Sequence, residues 1–71
     1  MLKIVDKMPM RRDPSLTRVV LAADPTTARD VFVWCTKQNI LCEYNNKGAT
    51  VVCTNEQLTW LLLSFAERKV A

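Results

Sequence analysis

The chain contains a single glycine, Gly48, which ends the segment NNKG at positions 45–48. Asparagine and glycine tolerate positive φ angles, so this segment is a strong signal for a tight β-hairpin turn. Two short apolar segments flank the turn, Ile40–Tyr44 before it and Ala49–Cys53 after it. The sequence therefore predicts a two-stranded antiparallel unit in the second half of the chain.

The register of the hairpin follows from the distribution of apolar residues. With Tyr44 opposite Ala49, one face is mostly apolar and carries Ile40, Cys42, Tyr44, Ala49, Val51 and Cys53. The other face is mixed and carries Leu41, Glu43, Thr50 and Val52. We prefer this pairing because a slip by one residue would move the whole apolar set to the other face.

The segment before the hairpin predicts a strand followed by a helix. Thr17–Ala23 is rich in β-branched residues and is long enough for a buried strand. Asp24 can cap the helix, and Pro25 suits its first position, because the amide that proline lacks would have no partner there. We expect this helix to end at about Gln38 or Asn39. A strand followed by a helix permits a right-handed crossover to a parallel neighbouring strand.

The last segment predicts a second helix. Thr54 and Gln57 match a capping box, and we expect the helix to extend from Asn55 to about Lys69. Helical spacing groups the apolar residues of each helix into one stripe that should face the core. The stripe of the first helix contains Ala28, Val31, Phe32 and Cys35. The stripe of the second helix contains Leu58, Leu61, Leu62, Phe65 and Ala66.

The N-terminal part has the weakest pattern. Leu2–Val5 alternates weakly and could form a short edge strand, whereas Lys7–Leu16 contains two prolines and should be a loop. The element order is then ββαββα, or βαββα if the first segment does not pair. We predict an α+β fold, a small two-layer sandwich with a three- to four-stranded sheet and two helices on one face. Residues 1–71 form one compact domain, with the strand and basic loop in 1–16 and the βαββα body in 17–71.

Composition excludes several classes of protein. Apolar residues make up 49% of the chain and its net charge is +3, which argues against intrinsic disorder. The longest apolar runs are far shorter than the roughly 18 residues that a membrane span needs, so no membrane association is expected. No secretory signal follows Lys3, and three cysteines do not form an even disulfide framework. The expected location is therefore the cytoplasm.

The sequence offers little for catalysis. It contains no histidine, so a serine, threonine or cysteine nucleophile lacks its usual base. Cys35, Cys42 and Cys53 lack C-x-x-C spacing and lie among apolar residues, which favours buried structural thiols over a zinc site. One glycine cannot form a glycine-rich phosphate loop. We expect no enzymatic activity, no cofactor and no metal.

Some apolar residues fall outside the core stripes of the two helices. They are Val33 and Trp34 in the first helix and Trp60 and Leu63 in the second. The tryptophans could cover the rim of the core, because tryptophan is seldom fully buried. They could equally form an apolar surface for a partner or for self-association. Stacking on a nucleotide or cofactor is a third, minor alternative, and the sequence does not decide among the three.

The entire excess of positive charge lies in residues 1–18. Arg11 and Arg12 in this part could attract an acidic protein or contact phosphates, whereas the strands offer only Tyr44 for stacking on bases. We predict a small protein-binding module, an accessory regulator or inhibitor that docks on a protein or homodimerises through an apolar helix surface. Its predicted contact residues are Val33, Trp34, Trp60, Leu63, Arg11 and Arg12. The alternative is a small nucleic-acid-binding protein that uses the basic loop.

Overall fold

The structure is a computed structural model that describes residues 2–66. It contains a four-stranded antiparallel sheet and two helices. The elements in chain order are β1 (Lys3–Pro9), β2 (Thr17–Ala22), α1 (Pro25–Lys37), β3 (Leu41–Asn45), β4 (Gly48–Cys53) and α2 (Asn55–Ala66). The predicted α+β class and the order ββαββα are confirmed, and the predicted helix end at Lys69 lies outside the described residues.

The first strand is longer than the sequence pattern indicated. The prediction of a loop from Lys7 was wrong, because β1 continues to Pro9 and pairs with β2 along its length. Proline is tolerated there because β1 lies at the edge of the sheet. The pairing is irregular at Val5, where the register shifts by one residue, as in a β-bulge. The loop is therefore confined to residues 10–16.

The strands are arranged in the order β1-β2-β4-β3, and every neighbouring pair is antiparallel. β3 runs parallel to β2, but β4 lies between them, so the crossover through α1 does not lead to a parallel neighbour. Composition explains this arrangement, because β4 (GATVVC) carries no charged residue whereas β3 (LCEYN) carries Glu43. β4 is largely buried whereas β3 is largely exposed. The more apolar strand of the hairpin thus takes the central position, and β3 takes the edge.

The hairpin turn forms where the sequence predicted it. The Asn45 side-chain Oδ1 accepts hydrogen bonds from the backbone N–H groups of Lys47 at 2.8 Å and Gly48 at 3.1 Å. A β-carbon at Gly48 would collide with the backbone carbonyl of Leu21 on β2. Glycine is therefore required here by the close approach of the neighbouring strand, as well as by the turn.

Both predicted helix caps are present. The Asp24 carboxylate accepts hydrogen bonds from the Thr27 hydroxyl at 2.6 Å and the Thr27 N–H at 3.1 Å, and Pro25 begins α1. These two bonds, the hydroxyl first, lower the pKa of Asp24 to about 2. At α2, the Gln57 N–H donates to Thr54 Oγ1 at 3.1 Å and the Thr54 N–H donates to Gln57 Oε1 at 3.0 Å. This reciprocal pair is the capping box expected from the sequence.

A single core cluster contains residues of the sheet and of both helices. Its sheet side is contributed by Val19, Leu21, Ile40, Ala49, Val51 and Cys53. Its helical side is contributed by Val31, Cys35, Leu58, Leu61 and Phe65. The predicted register, with Tyr44 opposite Ala49, is confirmed. Most of the core positions predicted from helical spacing are buried, and Phe32 and Leu62 are only partly covered. The buried positions are Ala28, Val31, Cys35, Leu58, Leu61 and Phe65, and the predicted core position Ala66 lies outside the side chains that the structure describes.

Tyr44 shares the core side of the sheet but is not a core residue. It is 47% exposed because β3 is an edge strand. Its ring packs against Phe32 of α1, with ring centroids 4.9 Å apart. This aromatic pair closes the margin of the core beside β3.

Candidate functional site

Two apolar residues of α2 point away from the core. Trp60 is 51% exposed and Leu63 is 57% exposed. They lie about one turn apart, and helical geometry places them on the side of α2 opposite the buried Leu58 and Leu61. We call Trp60 and Leu63 the α2 ridge. This ridge is an apolar surface that the described part of the chain leaves uncovered.

The two tryptophans occupy different environments. Trp34 is partly buried and packs against the core cluster. It follows the buried Val31 by three residues, so its side chain lies beside the core stripe of α1. Trp60 has no buried residue three or four positions away on α2, and its ring therefore points outward. Val33 is 43% exposed and lies on the outer side of α1.

The two predicted basic residues belong to a different surface. Arg11 and Arg12 are exposed in the loop between β1 and β2. Together with Arg18, Met8, Pro9 and Met10 they line a depression of about 360 Å³. We call Arg11, Arg12 and Arg18 the arginine cluster. Its third member, Arg18, lies in β2 rather than in the loop and was not among the predicted contact residues for a protein partner.

The arginine cluster lies on the side of the sheet that faces away from the core. Arg18 precedes the buried Val19 in β2, and consecutive strand residues point to opposite sides of a sheet. The α2 ridge lies on the far side of the helix that packs into the core. The structure thus separates Arg11 and Arg12 from the α2 ridge. Val33, on the outer side of α1, and Trp34, beside the core, belong to neither surface.

The open side of the sheet carries a second depression next to the first. It has a volume of about 380 Å³ and is lined by Met10, Arg18, Leu41, Cys42, Glu43, Thr50 and Val52. Leu41 is 73% exposed and lies opposite Val52 in the β3–β4 pair. Sequence reasoning placed both residues on the mixed face of the hairpin but did not identify them as a surface for binding.

The three cysteines are free thiols in different environments. Cys35 and Cys53 are buried, as predicted, and Cys42 is partly exposed. A hydrogen bond to Cys42, together with burial, raises the pKa of the Cys35 thiol, and the same bond lowers the pKa of Cys42. Burial raises the pKa of Cys53. Within residues 2–66, no group of three or more Cys, His, Asp or Glu side chains is arranged to hold a metal ion.

Comparisons with family models, curated proteins and solved structures found no match to this chain. Neither α1 nor α2, as described, combines the length and the apolar character that a membrane-crossing helix requires. The candidate binding surfaces of the described residues are the α2 ridge and the open side of the sheet.

Proposed function

We propose that this protein is a small protein-binding module that docks on its partner through the α2 ridge. The observation that supports this proposal is the exposure of Trp60 and Leu63, side by side, on a helix whose other side is buried. Tryptophan is the residue most enriched among the side chains that dominate binding energy at protein interfaces. Covering these two side chains would remove apolar surface from water, which favours association.

The other predicted contact residues contribute in different ways. Val33 offers a further apolar contact on the outer side of α1, and Trp34 contributes only the part of its ring that the core leaves exposed. Arg11 and Arg12 attract an acidic partner over a distance and raise the rate of association. The protein then acts without catalysis, as a regulator or inhibitor of the protein it binds. Free thiols suit the reducing cytoplasm as its location.

The test compares three variants of the full chain. Trp60→Ser and Leu63→Ser remove the ridge, and Val5→Ser is the control because Val5 is also exposed, at 62%, but lies on β1. Affinity capture from the native cell with identification of the bound proteins is combined with sedimentation velocity of each variant. We expect both ridge variants to lose the partner, or the self-association, and the control to keep it.

Circular dichroism of the same variants separates binding from folding. Substitutions at exposed positions usually change stability by no more than about 0.5 kcal/mol, so the ridge variants should remain folded. The proposal fails if the ridge variants retain wild-type binding. It also fails if Trp60→Ser unfolds the domain, because Trp60 would then be a structural residue.

A second candidate function, nucleic-acid binding, is favoured by one observation, the convergence of three arginines on one depression. It predicts that the protein is retained on single-stranded DNA or RNA at low salt and is released steeply as salt rises. Replacement of Arg11 and Arg12 by glutamine should abolish retention. Absence of retention at low salt would exclude this function.

A further inference from the structure

We propose that the open side of the sheet binds an extended acidic segment of the partner protein. Carboxylates of the segment pair with the arginine cluster, and one apolar side chain of the segment sits beside Leu41 and Val52. This inference rests on the proposed function, since the segment belongs to a protein partner. It adds a second contact surface, however, and names the chemistry that this surface recognises.

The register of the sheet aligns the residues of this surface in one row. Arg18 is paired with Met8 on one side and with Val52 on the other, and Val52 is paired with Leu41. The row therefore crosses all four strands. Neighbouring strands are about 4.8 Å apart, so the row spans about 14 Å, the length of about four extended residues. A short extended segment laid across the strands would contact the whole row.

The two depressions on this side share Met10 and Arg18 among their lining residues. They therefore adjoin one another, and we call the two together the groove. The arginine cluster lines one part of it, and Leu41, Val52 and Glu43 line the hollow of the other part. Met10 lies at the junction and suits a binding surface, because methionine side chains are flexible and adapt to the shape of what they contact. The groove thus offers both charged and apolar contacts to a peptide segment of mixed composition.

The arginines face solvent and are not engaged by the nearest acidic residue in the sequence. The Asp13 carboxylate accepts hydrogen bonds from the Ser15 hydroxyl at 2.6 Å and the Ser15 N–H at 3.2 Å, which hold it inside its own turn. Guanidinium groups bind carboxylates through two parallel hydrogen bonds, so three of them suit a segment rich in aspartate and glutamate.

Two features favour a peptide over a nucleic acid in this groove. Glu43 lines the hollow next to Leu41, and its carboxylate would repel a phosphate backbone, which is negatively charged along its whole length. A peptide can present an apolar or hydrogen-donating group at that point instead. Binding of single strands also relies on aromatic side chains, and the one aromatic residue of the described strands, Tyr44, lies on the core side of the sheet.

The test measures fluorescence anisotropy of a labelled peptide of sequence GDEDGLSG with the full-length protein. Its control peptide, GNQNGLSG, replaces each acid by its amide. A labelled oligothymidine of comparable length reports nucleic-acid binding. The variants are Arg18→Gln and Leu41→Ser, and Arg29→Gln is the matched control because Arg29 is an exposed arginine on α1.

We expect the acidic peptide to bind the wild-type protein and Arg29→Gln equally, and the amide peptide to bind neither. Arg18→Gln should weaken binding by about tenfold, as expected for the loss of one charge-assisted pair. Leu41→Ser should weaken it to a smaller extent. Thermal unfolding of each variant checks that the fold is retained, and Arg12→Gln replaces Arg18→Gln if the latter does not fold.

Three results would overturn the inference. The first is no binding of the acidic peptide up to about 1 mM, beyond which affinity is too weak to be specific. The second is equal weakening by Arg18→Gln and Arg29→Gln, because the attraction would then be a property of net charge. The third is tighter binding of the oligothymidine with the same dependence on Arg18. Trp60→Ser should bind the peptide normally, so failure of the α2 ridge and failure of the groove are distinguishable.

Discussion

The environments of Trp34 and Trp60 lead to a prediction at the scale of single residues. The fluorescence of each tryptophan can be recorded alone, because the variant Trp60→Phe retains only Trp34 and the variant Trp34→Phe retains only Trp60. We expect Trp34 to emit at shorter wavelength and to be poorly quenched by iodide, because it packs against the core. Trp60 should be readily quenched, since 51% of its surface is exposed. Equal quenching of the two would contradict the outward orientation of Trp60.

The thiols provide a second prediction at this scale. A thiolate reacts faster than a thiol, so a lowered pKa and partial exposure make Cys42 the most reactive cysteine. Iodoacetamide at neutral pH should modify Cys42 first, whereas Cys35 and Cys53 should react only after unfolding. Mass spectrometry of the alkylated peptides measures this order. Early modification of Cys53 would contradict its burial, and Cys42→Ser is the control that should abolish the fast phase.

At the scale of elements, the cap of α1 should make stability depend on pH. The Thr27 hydrogen bonds lower the pKa of Asp24 to about 2, below its ordinary value of 3.8. The carboxylate therefore contributes its full stabilisation above about pH 4, and this contribution is lost as the pH falls toward 2. Asp24→Ala should lower the melting temperature at pH 7 and flatten its dependence on pH between 4 and 2.

The control for this prediction is Asp24→Asn. Asparagine can still accept the Thr27 N–H and is an equally good cap, but it does not titrate. This variant should keep most of the melting temperature at pH 7 while losing the pH dependence. If Asp24→Ala loses as much stability at low pH as the wild-type protein does, the pH dependence arises from another titratable group.

The contrast between the caps and β1 shows what sequence can predict of this fold. Both caps and the hairpin turn depend on contacts within a few residues, so short patterns specify them. β1 was predicted only in part, because its extension to Pro9 depends on pairing with β2 rather than on its own pattern. Likewise, the groove could not be predicted, since the row through Arg18 and Val52 exists only when all four strands are in register.

At the scale of the whole molecule, β1 mainly covers the edge of β2 and adds little to the core. All seven of its residues are exposed, whereas β2 contributes Val19 and Leu21 to the core. Deletion of residues 1–9 should leave the core in place but expose the backbone of β2 as a new edge, and such edges pair with other chains. In size-exclusion chromatography we expect the truncated protein to elute early, as oligomers or aggregates. The full chain should elute as one defined species.

The separation of the two candidate surfaces sets the stoichiometry that this small domain can support. The α2 ridge and the groove on the open side of the sheet are separate surfaces of the molecule. A rigid, flat partner can cover only one of them at a time. Occupation of both therefore requires either a partner with a flexible acidic arm that wraps around the edge of the sheet, or two different proteins bound at once. In the second case the domain is an adaptor, and its activity would depend on the ratio of its partners.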